Sequence, residues 1–247
     1  MLIDFHTYVG RSMLGQESTE EELLANMEKN QIDISVVCPV KTVDPFFEKQ
    51  NQYVSELQEK HAGRIVGFAR IDPNLGKDSE KILAESIEEL KLKGLLLHPW
   101  EETFAINDQK VFPFMEICRE YDLPVLVETG YPWVSHCFQV ASLAEKFPDV
   151  KFIMSHGGQF DSSGYALTDV DYVMDRHENL LIETSGDYSD EGIENIPVRL
   201  GYDRLLFGSH FPWLSTELEI YRVQRASLPE EARECIFYKN ALEVLKI

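Results

Sequence analysis

The sequence has no paired cysteine motif. Its four cysteines, Cys38, Cys118, Cys137 and Cys235, lie far apart, and no two form a Cys-x-x-Cys. That spacing excludes a disulfide framework and a zinc finger. Positive charge is scarce: 23 Lys and Arg face 43 Asp and Glu, for a net charge of −20. With no basic stripe to meet phosphates, nucleic acid and anionic membrane surfaces are excluded as partners. No apolar run approaches the ~20 residues that cross a bilayer. Met1-Leu2-Ile3-Asp4 enters a strand-like segment directly, without a signal-peptide pattern, so a cytoplasmic location is expected. No Gly-x-Gly-x-x-Gly or P-loop follows the first strand, which argues against a doubly wound nucleotide-binding sheet. Internal repeats, low-complexity tracts and linkers are missing too, so one domain over 1–247 is expected.

What is present is a regular alternation of strands and helices in 247 residues, 44% of them hydrophobic. Strand-like runs fall at 2–5, Ile34 to Cys38, Ile65 to Ala69, Leu95 to Leu97, 124–127, 151–155, Leu180 to Ile182 and 205–207. They are continuous apolar runs, as strands buried on both faces require. Thr19 with Glu22 forms a capping box that opens a helix through Lys29. Further helices are predicted from Pro45 to about Lys60, Asp78 to Lys91, Val111 to Tyr121, Ser135 to Phe147, Asp169 to Arg176 and near 190–200. Two more close the chain, over 215–227 and 230–245. Acidic clusters such as Glu20-Glu21-Glu22 and Glu85 to Glu89 read as solvated helix faces. Eight strands with right-handed crossovers predict an α/β fold, a (β/α)8 TIM barrel.

Four of the strands end on side chains able to ligate a metal: His6, Glu128, His156 and His210. In a closed parallel barrel these strand ends converge on the face that carries chemistry. The segment Asp203 to Trp213 is the clearest case: a short buried run breaks at Gly208 and delivers His210 just past it.

Six fragments in order resemble the amidohydrolase-related family of metal-dependent hydrolases and decarboxylases, the branch that includes aminocarboxymuconate semialdehyde decarboxylase. They are Ile3-Asp4-Phe5-His6, Gly67-Phe68-Ala69 with Asp72-Pro73, Gly94-Leu95-Leu96-Leu97-His98-Pro99, Ser155-His156-Gly157-Gly158, Phe207-Gly208-Ser209-His210-Phe211-Pro212 and Asn240-Ala241. The resemblance implies the barrel and a mononuclear divalent metal site. Three positions depart from the family pattern. Tyr8 stands where the second histidine of His-x-His is usual, Glu128 replaces the strand-five histidine, and His210 replaces the strand-eight aspartate.

The last two departures compensate each other, because the ring keeps one carboxylate. His6, Glu128 and His210 make a two-histidine, one-carboxylate set that suits Zn2+ and leaves a position open; Mn2+ and Fe2+ also fit. His156 is then a fourth ligand or the acid/base group. His210 is the other candidate catalytic residue. Tyr8 is a poor ligand and a candidate partner for bound water or substrate. Arg70 can clamp a carboxylate, or pair with Asp72 or another nearby acid. His98 is a candidate hydrogen-bond donor. Trp100, Trp133 and Trp213 follow strand ends, where they can form an aromatic rim or pack against the barrel top. Glu183 can orient a ligating histidine or simply pack. The expected partner is a small-molecule substrate, and self-association into a homo-oligomer stays open. The first expectation for the reaction is hydrolysis of an amide, ester or lactone by metal-activated water. Non-oxidative decarboxylation of a small unsaturated or aromatic acid is the alternative, and a catalytically degenerate binding protein is the third reading.

Overall fold

A computed structural model describes residues 1–158, 165–186 and 190–247. Eight barrel strands run in chain order: β1 (Ile3–Arg11), β2 (Ile34–Pro39), β3 (Ile65–Gly67, resuming as Ala69–Arg70), β4 (Leu95–Leu97), β5 (Val125–Val127), β6 (Phe152–Met154), β7 (Leu180–Glu183) and β8 (Leu205–Leu206). Each pairs in parallel with the next. β3 is interrupted at Phe68, whose N–H still reaches Val37 O at 3.0 Å. Closure comes from β1 meeting the chain after β8. Phe5 N–H donates to Phe207 O at 2.8 Å and Tyr8 N–H to Phe211 O at 2.9 Å. The eight-stranded (β/α)8 barrel is thus the architecture.

Each short strand splits its apolar run between two cores, as the period of two demands. Leu96, Leu126, Ile153, Leu181 and Leu206 belong to one buried cluster with Phe5, Val36 and Phe68, inside the barrel. Their neighbours Leu95, Leu97, Val125, Val127, Phe152 and Met154 pack outward in the larger cluster beneath the helices. Ala241, Val244 and Leu245, from the helix Asn240–Leu245, join the inner cluster. Asn240 also donates to Tyr202 O and Leu205 O at 2.6 and 2.7 Å, tying this helix to the start of β8.

Several boundaries differ from expectation. β1 runs on to Arg11 because Tyr8 and Val9 keep pairing with Cys38 and Pro39, while Gly10 and Arg11 pair with the two-residue strand Glu17–Ser18. The second helix begins at Glu48, after Phe47 in a left-handed conformation with φ 61°, rather than near Pro45. The third helix stops at Glu88. The closing helix is split by a π turn, Cys235–Lys239. A short helix, Pro99–Glu102, follows β4 and was not expected. Among the described residues no helix is long and apolar enough to cross a membrane.

Candidate metal centre

The inward phase of the strands builds the site. Two residues past an inner core side chain, the next inward position lies above the barrel interior. Phe68 is so followed by Arg70, Leu96 by His98, Leu126 by Glu128, Ile153 by Ser155, Leu181 by Glu183 and Leu206 by Gly208. In β1 the pairing shifts register between Asp4 and Thr7, a bulge of the kind that re-aims side chains. It brings His6 to the same ring, with Tyr8 beside it. His156 and His210 come from the turns just beyond β6 and β8. Both sit at positive φ, 56° and 54°, a costly conformation that gathers at functional sites.

Glu128 is the hub. Its Oε1 lies 3.0 Å from His6 Nε2 and 3.4 Å from His210 Nε2, and Tyr8 donates its hydroxyl hydrogen to the same oxygen. Its Oε2 accepts from Ser155 Oγ at 2.9 Å and faces His156 Nε2 at 2.9 Å. One ligand atom each from His6, Glu128 and His210 lies within 4.8 Å of the other two. Two imidazoles and one carboxylate so close together fit a divalent ion.

A second carboxylate orients the ring of His6. Glu183 Oε1 sits 3.0 Å from His6 Nδ1 and accepts from His156 N–H at 2.9 Å and Ser185 Oγ at 2.7 Å. With Nδ1 engaged, His6 turns Nε2 toward Glu128, the arrangement carboxylates impose on ligating histidines. Gly208 makes room for Glu183: a Cβ there would stand 2.1 Å from Glu183 Oε2. Buried Asp4 fixes the turn that carries His210, accepting from Ser209 N–H at 2.8 Å and Ser209 Oγ at 2.5 Å.

The electrostatics follow from burial and these contacts. Burial opposes charge on His6, but Glu128 and Glu183 outweigh it and lift its pKa to about 10. His156 is raised in the same sense, again against burial and chiefly by Glu128. Burial opposes ionisation of Glu128, yet His6 and His156 hold it well below the usual carboxylate range. His210 goes the other way: burial pushes it down to about 4 despite Glu128. Burial likewise lowers His98 to about 4. It also raises Asp4 to about 7, against its bonds to Ser209.

A cavity of about 610 Å³ opens onto this cluster, and Tyr8, Arg70, His98, Trp100, Tyr131, His210 and Trp213 all line it. Trp100 and Tyr131 stack with centroids 5.0 Å apart and planes 6° from parallel. Trp213 lies stacked on His210 at 5.3 Å and edge-on to Tyr8 at 4.8 Å. The lining corrects one expectation. Trp133 is 78% exposed and does not line the cavity, because its loop turns the indole to solvent. Arg70 pairs with nearby acids, one of the two readings open from the sequence, though not with Asp72, whose Oδ1 accepts from Asn74 N–H at 2.9 Å. Its guanidinium meets Glu101 and, at 2.9 Å, Glu102. Both glutamates sit on the short helix after His98, which the sequence pattern does not predict, and Lys41 pairs with Glu102 at 3.1 Å. The sequence signals for that helix are Pro99 just after a capping position and acidic Glu101 and Glu102 in the first turn.

Residues 3–247 match the amidohydrolase family. The chain belongs to that family. It is 20% identical to gamma-resorcylate decarboxylase from Polaromonas over 251 residues, covering 81% of this chain and 76% of the relative. The fold is similar to that of 5-carboxyvanillate decarboxylase from Sphingomonas paucimobilis, with TM-score 0.80, 15% identity, and coverage of 100% and 99% of the two chains. It is also similar to the Novosphingobium aromaticivorans 5-carboxyvanillate decarboxylase complexed with manganese and 4-hydroxy-3-methoxy-5-nitrobenzoic acid. There the TM-score is 0.78 with 13% identity, covering 100% and 96%. These named amidohydrolase relatives are decarboxylases, which overturns the expectation that placed hydrolysis first. A two-histidine, one-carboxylate set suits an ion that activates water or one that polarises an acid, so strand-end residues could not separate the two.

Proposed function

We propose that this protein is a metal-dependent, non-oxidative decarboxylase of small hydroxylated aromatic acids. The observation that carries the reading is the meeting of His6, Glu128 and His210 within 4.8 Å in a cavity walled by Trp100, Tyr131 and Trp213. His6, Glu128 and His210 would hold the ion. Manganese fits this set as well as zinc, because imidazole and carboxylate donors suit both. A bound divalent ion supplies Lewis acidity toward an oxygen of the acid.

The remaining steps belong to side chains. Trp100 and Trp213 present flat apolar faces to an aromatic ring. His98 accepts the Glu101 N–H on Nδ1, which leaves its proton on Nε2. Because burial keeps it neutral, that N–H can donate to an oxygen of the acid. In the reaction the ring–carboxyl bond breaks, carbon dioxide leaves, and a proton takes its place on the same ring carbon. We assign that proton to His156. Its Nδ1 donates to Ser185 O at 3.0 Å and its Nε2 proton points at Glu128, so the ring is held protonated beside the ligand set. The test is direct. Protein supplied with Mn2+ or Zn2+ is offered a panel of mono- and dihydroxybenzoates, and carbon dioxide is measured. Metal-dependent release from at least one acid is expected. No release from any, or release unaffected by chelator, ends the proposal.

A further inference from the structure

One wall of the cavity contributes nothing to holding an ion. Lys41, Arg70, His98 and Glu101 all line it. Both cations are matched: Lys41 by Glu102, and Arg70 by Glu101 and Glu102. Two cations face two carboxylates, so this wall offers no surplus positive charge to a ligand. Glu101 is the carboxylate that faces the cavity. Its Oε2 is taken by Arg70, with His98 Nε2 at 3.7 Å. Its Oε1 has no partner among the described residues and remains an acceptor. Burial opposes ionisation of this carboxyl, but Arg70 outweighs it and holds the group below its ordinary range.

We infer that Glu101 selects the second substituent of the substrate: it accepts a hydrogen bond from a ring hydroxyl or amino group and turns away a second carboxylate. This rests on reading the cavity as a site for small aromatic acids. An acid whose first carboxylate lies at the ligand set and whose ring directs a second toward this wall would meet Glu101 there, since both line one cavity. Like charges there repel in a medium less polar than water. A hydroxyl in the same place donates to a charged acceptor, the stronger kind of hydrogen bond. Arg70 is then a scaffold for Glu101 rather than a carboxylate clamp.

The test reads binding, apart from turnover. Tryptophan fluorescence, with Trp100 and Trp213 in the cavity, follows titration of Mn2+-supplemented protein. The ligands are 2,3-, 2,4- and 2,5-dihydroxybenzoate and the dicarboxylates in which carboxylate replaces the second hydroxyl. At one position or more, wild type binds the dihydroxy acid at least about tenfold tighter, roughly 1.4 kcal/mol. Glu101→Gln, which frees Arg70 of one counter-charge, shrinks or inverts that ratio; Glu101→Asp, which keeps the charge, preserves its direction. A wild-type ratio near one at every position overturns the inference, as does an unchanged ratio in a folded Glu101→Gln. If Glu101→Gln does not fold, the wild-type ratios and Glu101→Asp still decide. Failure to bind any benzoate also overturns it. Carbon dioxide release judges the decarboxylase reading separately: dicarboxylates consumed as fast as dihydroxy acids would sink the selector and leave the decarboxylase standing.

Discussion

In the proposed reading a few side chains carry the chemistry, and each has a measurable signature. His6→Ala removes one imidazole from the set, and Glu128→Gln removes its charge while keeping its shape. Each is expected to cut metal content well below that of wild type after dialysis, measured by elemental analysis. Far-UV circular dichroism should not change, because residues at this end of a barrel serve function more than stability. Unfolding of either variant without metal would mark these as core residues instead. His210→Asp probes the compensation between strands five and eight. His210 Nε2 is 3.4 Å from Glu128 Oε1, so the new carboxylate would crowd the old one. One of the two carboxyl pKa values should then rise and the metal-free melting temperature should fall, while an added ion relieves the repulsion. The gap in melting temperature between metal-loaded and metal-free protein should therefore exceed that of wild type. An unchanged gap would show that the two positions do not share an ion.

At the scale of elements, the strand ends and the turns after them divide the work between holding the barrel and aiming the site. Gly208→Ala would force a methyl group to 2.1 Å from Glu183 Oε2 and 3.1 Å from His6 Cβ. Glu183 must then leave His6, so metal affinity should drop by ~10–100-fold, with ~1–3 kcal/mol of stability lost to overpacking. Thr19→Ala is the contrast. Thr19 Oγ1 accepts the Glu22 N–H at 3.2 Å, and Glu22 returns a bond to Thr19 N–H at 2.9 Å. Losing that cap should cost ~1 kcal/mol and leave metal affinity alone. Equal losses of affinity in the two variants, read by chemical denaturation and metal titration, would contradict this division. The capping box was legible because its four residues are adjacent in the chain. The Gly208–Glu183 approach was not, because 24 intervening positions separate residues that only the pairing of β7 with β8 brings together.

For the molecule as a whole, the proposed ligand set makes protons and a metal ion competitors for one cluster. Without metal, Glu128 and Glu183 lift His6 to about 10, so at neutral pH its ring is protonated. Binding an ion at Nε2 expels that proton. Affinity should therefore rise with pH, by up to ~tenfold per unit below about 10 from this group alone. Calorimetric titration near pH 7 in buffers of different ionisation heat should count close to one released proton from His6. Zero release would remove His6 from the ligand set. The sign for stability is opposite. A raised histidine pKa stabilises the metal-free fold fully below the unfolded value of 6.5 and loses that contribution as pH rises through about 10. Metal-free protein should therefore melt progressively lower as pH climbs above neutrality, and metal-loaded protein should lose less.

The barrel is legible in the chain, because eight short apolar runs, alternating with helices, have few other ways to bury both faces. The sequence also shows which strand ends carry imidazole and carboxylate, since those residues follow directly on the apolar runs. It named Glu183 without settling its role, and it noted Asp4 only as part of a motif. The tertiary structure decided the rest. Whether a strand-end side chain points inward depends on the phase of its strand, which the register shift in β1 sets for His6 and Tyr8. Arg70 meets Glu101 and Glu102 instead of Asp72 because the helix Pro99–Glu102, just after β4, sets both glutamates beside its guanidinium. Trp100 and Trp213 line the cavity while Trp133 faces solvent, because loop direction rather than composition aims an indole. Pairings at long sequence separation leave no periodic trace in the chain, so closure of the barrel is what first makes them neighbours.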